Sequence, residues 1–399
     1  MTGERAAGGG RSSSRQRFAL VAGGGTAGHL QPALAIAEAL VALGHDRETI
    51  EFVGSARGQD AATLAGRGFP VTLLPGRGIV RSLAPKYLLG NARSIGELLV
   101  AALRAVALVG RARPRVVVAV GGYASLAGSI GALVHRVPLV LVNVDAVPGA
   151  ANRLLGRFAK ASAVGWGGNP LPRAVVTGTP VRPEIAAVER NPAARDAARV
   201  TLGLPGDRTV VVVFGGSLGA RRINRAVDGL ARRWVGRRDL AVYHIVGRRD
   251  WGDYADDEGI ERVAHTGPAP DGLELVRVPY EERMPAVYAA ADLLVCRAGA
   301  MTVAELAAAG VPAVLVPLPE APGDHQTANA RVLADEGAAV LLPDPECTPD
   351  RLADVVEGLL ADPGRLEAMG RAAGALGRPD AAEAGARVVE ASARPGETT

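Results

Sequence analysis

The chain has 399 residues, of which 48% are apolar and 22% are charged, and its formal net charge at pH 7 is +4. This composition excludes a largely disordered chain, and the two distant cysteines, Cys296 and Cys347, exclude a disulfide framework and a Cys-x-x-Cys metal motif. No uninterrupted apolar run is long enough to span a membrane, and a reducing cytosol is the expected compartment. The length predicts two or three domains, and the basic balance indicates anionic partners such as phosphates or lipid headgroups.

The first half of the chain begins with a polar stretch, residues 1–17, which lacks the apolar core of a signal peptide and is predicted to be a flexible tail. Residues 18–182 then alternate short β-rich runs with Ala- and Leu-rich helical patterns, including a helix over 32–44 with Pro32 near its start. The runs predicted to be strands are 18–22, 49–54, 115–120, 138–144 and 174–178. Such alternation predicts a parallel sheet with helices on both faces.

The same pattern restarts after a connector, residues 183–207, which is rich in charge, Ala and Pro and is predicted to contain a short helix. Residues 208–375 open with the strand TVVVVF, and further strands are predicted in AVYHIVG, ADLLV and PAVLVP. Residues 376–399 are predicted to be a tail that frays. The chain is therefore predicted to hold two similar α/β domains. Ligands in such sheets bind outside the carboxyl ends of the strands, so two of them facing each other form a cleft.

Three glycine-rich loops follow predicted strands: GGGTAGH (23–29), GGYASLAG (121–128) and GGSLGA (215–220). The backbone N–H groups of such a loop, at the positive end of a helix, can hold a phosphate. The first loop fits G-x-G-x-x-G, but NAD binding also requires an acidic residue at the end of the second strand, and here Glu51 lies at its beginning. Recurrence of the loop favours two phosphorylated molecules in one cleft. The alternative is that the glycines only make tight turns.

Two polar segments of the second half allow two interpretations each. In CRAGAMTVAEL (296–306), Thr302 and Glu305 have the spacing of a helix N-cap and its N3 residue, or else Glu305 takes the two vicinal hydroxyls of a ribose. Spacing alone favours the cap. In PLPEAPGDHQTANA (317–330), the polar side chains either cap the next helix or hydrogen-bond sugar hydroxyls. These side chains are Asp324, His325, Gln326 and Asn329.

Taken together, the motifs between residues 18 and 345 resemble those of the MurG family. They are GGGTAGHLQPALAIAEAL, GGYAS, GTPVRPE, GGSLGARRIN, CRAGAMTVAEL and GDHQTANA. Members of that family are inverting glycosyltransferases with the GT-B fold, in which two Rossmann-like parallel-sheet domains face a central cleft. They move N-acetylglucosamine from UDP-GlcNAc to the muramoyl-pentapeptide on undecaprenyl diphosphate (lipid I), which yields lipid II for peptidoglycan. The resemblance implies this fold, donor and acceptor, with no cofactor.

The resemblance also assigns residues to the two sides of the cleft. The implied donor contacts are Glu305 to the ribose hydroxyls, Arg182 and Ser217 to the diphosphate, Arg297, Met301 and Thr302 around the nucleotide, Gln326 to the GlcNAc hydroxyls, and Tyr280 near the uracil. The implied acceptor contacts are Gly24, Gly25, Thr26, Gly28, His29, Gly121, Gly122, Tyr123 and Asn152.

The chain departs from the family pattern after the predicted strand 138–144. The family carries a His-Glu-Gln-Asn stretch there, whereas this chain reads NVDAVPGAANRL, with Asp145 at the position of the motif's Asn. Because the missing His and Glu belong to the acceptor side, the donor is better supported than the acceptor. The alternatives are a paralogue acting on another lipid-linked or secondary-metabolite acceptor, a UDP-GlcNAc 2-epimerase, and a non-catalytic paralogue that binds UDP-sugar or scaffolds other cell-wall enzymes.

Inversion at the sugar requires a general base for the acceptor hydroxyl and stabilisation of the leaving diphosphate. His29 has a suitable pKa range and Asp145 is the other candidate, although His29 could instead only hydrogen-bond its loop or a phosphate. The sequence has neither an Asp-x-Asp metal motif nor a His/Cys cluster. The diphosphate charge is therefore expected to be met without metal, by Arg182, Ser217 and helix N-termini.

A polyprenyl acceptor requires a membrane surface, and residues 77–93 are the predicted contact. Basic residues alternate there with apolar ones such as Ile79, Leu83 and Leu88, a pattern suited to an anionic interface. The alternative is an ordinary amphipathic helix packed on the sheet, which is expected for much of 94–109. Nucleic-acid binding is disfavoured, because the basic residues lack interleaved aromatics. The expected location is peripheral, on the cytoplasmic face of the plasma membrane.

Overall fold

The computed structural model of the protein describes residues 16–25, 27–56, 60–75, 85–216, 219–254, 272–319 and 321–396. Two parallel sheets follow each other along the chain, one with seven strands and one with six. Each sheet lies between two apolar layers. In the first strand of the second sheet, for example, Val210 and Val212 pack into one hydrophobic cluster, whereas Val211 and Val213 pack into another. This burial on both faces confirms the predicted pair of parallel α/β domains.

The first sheet is built from β1 (Ala19–Gly23), β2 (Ile50–Ser55), β3 (Val71–Leu74), β4 (Val116–Gly121), β5 (Leu139–Asn143), β6 (Ala161–Val164) and β7 (Ala174–Val176). The order across the sheet is β3-β2-β1-β4-β5-β6-β7. The sequence analysis does not predict β3 or β6, because each has only four residues and the apolar signal of so short a segment is weak.

The helices of the first domain are α1 (Ala27–Ala42), α2 (Asp60–Leu64), α3 (Pro85–Ala112), α4 (Gly122–Val134) and α5 (Ala150–Leu155). Helix α1 begins earlier than the predicted residue 32, so Pro32 lies inside it. A proline at this position removes only the hydrogen bond to the carbonyl of the residue four before it, Gly28, in the first turn. The glycine loop therefore runs directly into the helix, without the intervening segment that the prediction placed there.

The second sheet is built from β8 (Thr209–Phe214), β9 (Leu240–Ile245), β10 (Glu274–Val278), β11 (Leu293–Cys296), β12 (Ala313–Leu315) and β13 (Ala339–Leu341), in the order β10-β9-β8-β11-β12-β13. The helices that follow the first domain are α6 (Pro183–Ala186), α7 (Pro192–Leu202), α8 (Arg221–Arg233), α9 (Met284–Ala290), α10 (Ala300–Ala309), α11 (His325–Ala334), α12 (Pro349–Leu360), α13 (Pro363–Leu376) and α14 (Ala381–Ser392). The segment predicted as a connector contains α6 and α7, and Ala198 and Leu202 of α7 pack into the core of the second domain.

The prediction that the chain frays after residue 376 is wrong, because helix α14 crosses back to the first domain. Ala386 and Val389 are fully buried in the hydrophobic cluster of that domain. The side chain of Glu390 pairs with His45, with 2.8 Å between Oε1 and Nε2. Small residues make this close packing possible: a Cβ placed on Gly385 would already contact Ile36, at 3.4 Å. The Ala- and Gly-rich composition that suggested fraying is therefore compatible with close helix packing.

Each sheet reverses its order of connection at one point, between β1 and β4 in the first and between β8 and β11 in the second. Crevices at such switch points are the usual ligand sites of open parallel sheets. The glycine loops leave β1, β4 and β8 at these points, so the fold places all three predicted phosphate loops at switch points.

Candidate functional site

The two glycine loops of the first domain leave the sheet side by side. Strand β1 ends at Gly23 and β4 ends at Gly121, and these residues are paired in the sheet register. The backbone of Gly121 has a φ of +127° and that of Gly122 a φ of +78°, values that side-chain-bearing residues rarely adopt. The chain therefore turns sharply at the end of β4, and helix α4 starts at Gly122.

His29 lies between these loops, in the first turn of α1. A Cβ placed on Gly121 would be 2.5 Å from His29 Cδ2, and one placed on Gly122 would be 2.3 Å from the carbonyl oxygen of Gly24. Both positions need glycine, because a methyl group would take the space of the imidazole or of the first loop. The structure thus brings together His29, Gly24, Gly121 and Gly122, with Gly28 next to the histidine in the same turn.

Burial is the main influence on His29 and lowers the pKa of its imidazole. The charges of Asp145 and Asp60 and a hydrogen bond to the backbone of Gly24 act in the opposite direction and raise it. His325, at the start of α11 in the second domain, lowers it further. The imidazole is therefore held mainly neutral, the form that can accept a proton, and it senses charges from both domains.

Asp60 places a buried carboxylate against the first glycine loop, a contact that the sequence analysis does not predict. The N–H of Gly25 donates to both carboxylate oxygens at 2.9 Å, and the N–H of Ser55 donates to Oδ2 at 2.8 Å. The carboxylate also fills the space beside Gly24, where an added Cβ would be 2.0 Å from Oδ2. The Gly25 amide, which the resemblance assigns to the acceptor, is thus bonded to an internal anion.

Thr26 and Tyr123 are two further residues that the resemblance assigns to the acceptor side. Thr26 lies outside the described residues. The hydroxyl of Tyr123 lies within hydrogen-bond distance of the carbonyl of Glu97, at 2.8 Å, and of that of Pro75, which share its one proton. Tyr123 therefore connects the start of α4 to α3, and burial raises the pKa of its hydroxyl.

Asp145 connects the two domains. Its Oδ1 accepts a hydrogen bond from Asn329 Nδ2 at 2.9 Å, and the N–H of Ala146 donates to Asn329 Oδ1 at 2.7 Å. Asn329, on α11, also donates to the carbonyl of Ala298 at 3.3 Å, which fixes it within the second domain. The amide of Asn329 therefore binds the loop after β5, and this is neither of the two roles considered from the sequence.

Asn152 supports the same loop from the first domain. Its Nδ2 donates to Asn143 Oδ1 at 3.0 Å, and Asn143 Nδ2 donates to the carbonyl of Asp145 at 2.6 Å. A continuous row of hydrogen bonds thus runs from helix α5 through the end of β5 to helix α11 of the second domain.

A cavity of about 590 Å³ opens at the carboxyl ends of β8, β11 and β12. Four arginines line it against one carboxylate, Asp344, so that its surface favours an anion. The described residues that line it are Gly215, Gly216, Gly219, Ala220, Arg221, Arg222, Arg249, Arg297, Leu318, Gln326 and Asp344. Two predicted donor residues, Arg297 and Gln326, are among them. Ser217, in the adjoining loop, lies outside the described residues.

Hydrogen bonds fix the side chains around this cavity. Arg297 Nη1 donates to Asp344 Oδ1 at 2.6 Å and to the carbonyl of Pro317 at 3.0 Å. Arg222 Nε lies 2.7 Å from the other oxygen of Asp344. The Oε1 of Gln326 accepts a hydrogen bond from the N–H of Leu318 at 2.9 Å. The wall of the cavity is therefore preorganised by contacts within the second domain.

Glu305 faces Arg182 across the junction of the domains. Helix α10 begins at Ala300 with Gly299 as its N-cap, so Thr302 and Glu305 are not an N-cap and N3 pair, and the capping interpretation is wrong. The Nη2 of Arg182 lies 3.8 Å from Glu305 Oε1, and the hydroxyl of Tyr288 donates to Oε2 at 2.7 Å. Burial raises the pKa of Glu305, whereas the Tyr288 hydrogen bond and the Arg182 charge lower it.

The remaining predicted donor residues are Met301, Thr302 and Tyr280. Met301 is half-buried against the core of the second domain, and Thr302 follows it in α10. Tyr280 is partly exposed, and the guanidinium of Arg248 lies 4.1 Å from its ring centroid. Within the described residues, no group of three or more His, Cys, Asp or Glu side chains is placed to hold a metal ion.

None of the helices in the described part of the chain has the length and apolar character needed to cross a membrane.

Comparisons with known proteins decide the family. The model of the glycosyltransferase family 28 N-terminal domain matches residues 19–164, and that of the C-terminal domain matches residues 210–384. The chain is 41% identical over 371 residues to a UDP-N-acetylglucosamine--N-acetylmuramyl-(pentapeptide) pyrophosphoryl-undecaprenol N-acetylglucosamine transferase from Nocardioides sp., covering 93% of this chain and 96% of the relative. The chain belongs to the MurG family.

Solved structures agree with this assignment. The crystal structure of Acinetobacter baumannii MurG is 28% identical to this chain, covers 94% of it and 99% of its own chain, and superposes with a TM-score of 0.69. A putative UDP-N-acetylglucosamine 2-epimerase from Listeria monocytogenes superposes with a TM-score of 0.60 at 15% identity, over 92% of this chain and 94% of its own, and this similarity shows the fold alone. The predicted GT-B fold and the predicted MurG family are thus confirmed.

Proposed function

We propose that this MurG family member transfers N-acetylglucosamine from UDP-GlcNAc to the muramoyl-pentapeptide on undecaprenyl diphosphate, converting lipid I to lipid II in peptidoglycan synthesis. The relative from Nocardioides sp. carries the name of this reaction. The structural observations that carry the proposal are the Arg182–Glu305 pair and the arginine-lined cavity of the second domain, with His29 on the first domain. Such a cleft suits two phosphorylated molecules better than one.

The donor is proposed to bind the second domain. Glu305 accepts hydrogen bonds from the ribose hydroxyls, and Arg182 pairs with the diphosphate, whose other contacts are the glycine loop after β8 and the N-terminus of α8. Gln326 holds the sugar. Arg182 and Glu305 are not among the described residues that line the cavity. A donor that contacts both the cavity and these two residues therefore has to extend from one to the other. These contacts supply positive charge at the leaving diphosphate, which supports a metal-independent reaction.

The acceptor is proposed to approach from the first domain, with His29 as the general base. Its buried, neutral imidazole takes the proton of the attacking hydroxyl, which displaces UDP from the opposite side of C1 and inverts that centre. The charge of Asp145 stabilises the imidazolium that forms, so we assign Asp145 to this supporting role. The Gly25 N–H already donates to the carboxylate of Asp60. The acceptor diphosphate is therefore assigned to the remaining amides of the loops at Gly24 and Gly121.

The membrane contact is proposed to lie on the first domain. Residues 77–84 of the predicted segment 77–93 lie outside the described residues, and the rest of it belongs to α3. Farther along α3, Leu99 is 62% and Leu103 71% exposed, whereas Ala101 and Ala105 face the core.

A second apolar and basic surface surrounds a cavity of about 480 Å³. It includes the exposed Phe158, and none of its described lining residues is acidic.

These two surfaces suit peripheral binding to an anionic bilayer at the cytoplasmic face of the plasma membrane, where a lipid-linked acceptor is presented. Leucines that are exposed on α3 would enter the interface, and the basic residues around Phe158 would meet lipid phosphates. This arrangement supports a lipid-linked acceptor over a soluble one.

A transfer assay with radiolabelled UDP-GlcNAc, offering lipid I beside other acceptors, tests the proposal. Label in lipid II is the expected result. Label only in another acceptor supports the paralogue alternative and contradicts lipid I as the acceptor. Release of N-acetylmannosamine without any acceptor indicates the 2-epimerase alternative, which so far has only a similarity of fold in its favour.

A further inference from the structure

Tyr288 lies directly behind Glu305 and is completely buried. Helix α9 carries it, and its ring meets that of Phe214, the last residue of β8, edge to face with centroids 6.5 Å apart. Its hydroxyl donates to Glu305 Oε2 over 2.7 Å. The phenol is thus held by packing on one side and is hydrogen-bonded to a single carboxylate oxygen on the other.

We propose that Tyr288 is a positioning residue that orients the carboxylate of Glu305 for the two vicinal hydroxyls of the donor ribose. This inference rests on the proposed function, in which Glu305 binds that ribose. Recognition of a vicinal diol needs both oxygens of a carboxylate in one plane with the hydroxyls. A carboxylate oxygen that accepts one hydrogen bond still has a second lone pair, so Oε2 can accept from Tyr288 and from a ribose hydroxyl together.

Of the two side chains that contact the Glu305 carboxylate, Arg182 holds it less firmly than Tyr288. Its Nη2 is 3.8 Å from Oε1, beyond hydrogen-bond distance, and its side chain is 27% exposed. Arg182 is also assigned to the diphosphate and is expected to move toward it. The buried tyrosine has no comparable freedom, so of these two contacts it is the one expected to hold the carboxylate in the same orientation before and after the donor arrives. Preorganisation of this kind strengthens binding, because the carboxylate need not be ordered by the ligand.

The hydrogen bond also favours the ionised form of Glu305, whose pKa is raised overall. Burial raises the pKa of this carboxyl, and Tyr288 and Arg182 lower it. Glu184 raises it, and the Cys296 thiol, at the end of β11, also faces it. Without the tyrosine hydroxyl, the pKa of Glu305 should rise. Donor affinity, which requires the ionised carboxylate, should then be lost at a higher pH than in the wild type.

Calorimetric binding of UDP and of 2′-deoxyuridine diphosphate, which lacks one ribose hydroxyl, tests the inference. The wild type is expected to prefer UDP. Tyr288→Phe should weaken UDP binding about tenfold, or about 1.4 kcal/mol, while binding of the deoxy analogue changes much less. The acid limb of the pH profile, where UDP affinity falls as the pH is lowered, should also move to higher pH. Glu305→Asp, which keeps the charge but withdraws the carboxylate from the tyrosine, should reduce the preference for UDP in the same way.

Tyr243→Phe is the matched control, because it removes a second buried Tyr–Glu hydrogen bond of the same domain. The hydroxyl of Tyr243 donates to Glu281 at 2.5 Å. Glu281 follows Tyr280, which is assigned to the uracil, so any effect of this variant on binding should be the same for both nucleotides. This variant should lose stability without changing the preference for UDP. An unchanged preference and acid limb in Tyr288→Phe, or equal losses for both nucleotides, would overturn the positioning role. If Glu305→Gln also retains the full preference for UDP, the donor assignment itself is wrong and the inference falls with it.

Discussion

Asp145 of the first domain accepts a hydrogen bond from Asn329 of the second domain, with 2.9 Å between Oδ1 and Nδ2. Asn329 lies on the same helix as Gln326, which is assigned to the donor sugar, and the charge of Asp145 acts on His29. The pair therefore links the helix that carries the proposed sugar contact to the proposed general base. Its position suggests that it sets the distance between the two reacting groups.

Replacing Asn329 by Ala should lower turnover more than donor affinity. The variant loses the contacts to Asp145 and Ala146, so the domains would hold their relative orientation less firmly, and misalignment of reacting groups slows a displacement steeply. We expect kcat to fall about tenfold or more, with calorimetric affinity for UDP-GlcNAc changed by less than about threefold. Asn191→Ala, which removes the cap of α7 and an exposed hydrogen bond to Glu189, is the control. Full turnover in Asn329→Ala would show that the contact has no part in alignment.

The pH profile should report the protonation of His29. A general base works in its neutral form, so kcat/KM should rise with pH through the pKa of His29, which burial holds below its usual range. Because Asp145 raises that pKa, Asp145→Asn should move the acid limb to lower pH, while its amide oxygen can still accept from Asn329. A limb that stays in place, or moves to higher pH, would contradict the electrostatic coupling of the two side chains.

Asp60 should contribute to stability through the backbone of the first loop. Asp60→Ala leaves the N–H groups of Gly25 and Ser55 without their buried acceptor, which should cost about 2–6 kcal/mol in urea denaturation, at about 1–3 kcal/mol for each N–H group left unpaired. Asp46→Ala, at an exposed acceptor for the N–H of Glu48, should cost about 1 kcal/mol or less. Similar losses for the two variants would mean that the Asp60 carboxylate does not hold the loop.

Helix α14 should be part of the folded first domain. Val389→Asp puts a charge into its fully buried contact with that domain and should lower the free energy of unfolding by about 3 kcal/mol or more. Val200→Asp, at a position that is 78% exposed, should change it by less than about 0.5 kcal/mol. If Val389→Asp unfolds like the wild type, α14 does not pack as described.

The sequence predicts those parts of this molecule whose signal is local. Strands β1 and β4 are apolar runs that end in glycine, and β8 is an apolar run that is followed directly by glycine, so the loops after them are recognisable. Helix α14 was missed because its small residues indicate flexibility in isolation and close packing only when the face of α1 is present.

The residues of the candidate site are likewise divided into those with a local sequence signal and those without one. Arg182, Glu305 and His29 belong to motifs that can be recognised along the chain. Tyr288 and Asp60 could not be found in this way, because each acts through one contact with a residue distant in sequence, Glu305 and Gly25 respectively. A single tyrosine or aspartate outside a motif carries no local mark of such a contact.

The most direct test of the two-sided cleft compares Glu305→Ala and His29→Ala in the same two measurements, calorimetric affinity for UDP-GlcNAc and transfer to lipid I. Loss of the ribose contact should weaken donor binding by about 2–3 kcal/mol, or roughly 30- to 150-fold. His29→Ala should bind the donor within about twofold of the wild type and transfer it about 100-fold or more slowly. Donor affinity that survives Glu305→Ala and is lost in His29→Ala would place UDP-GlcNAc on the first domain and contradict the account.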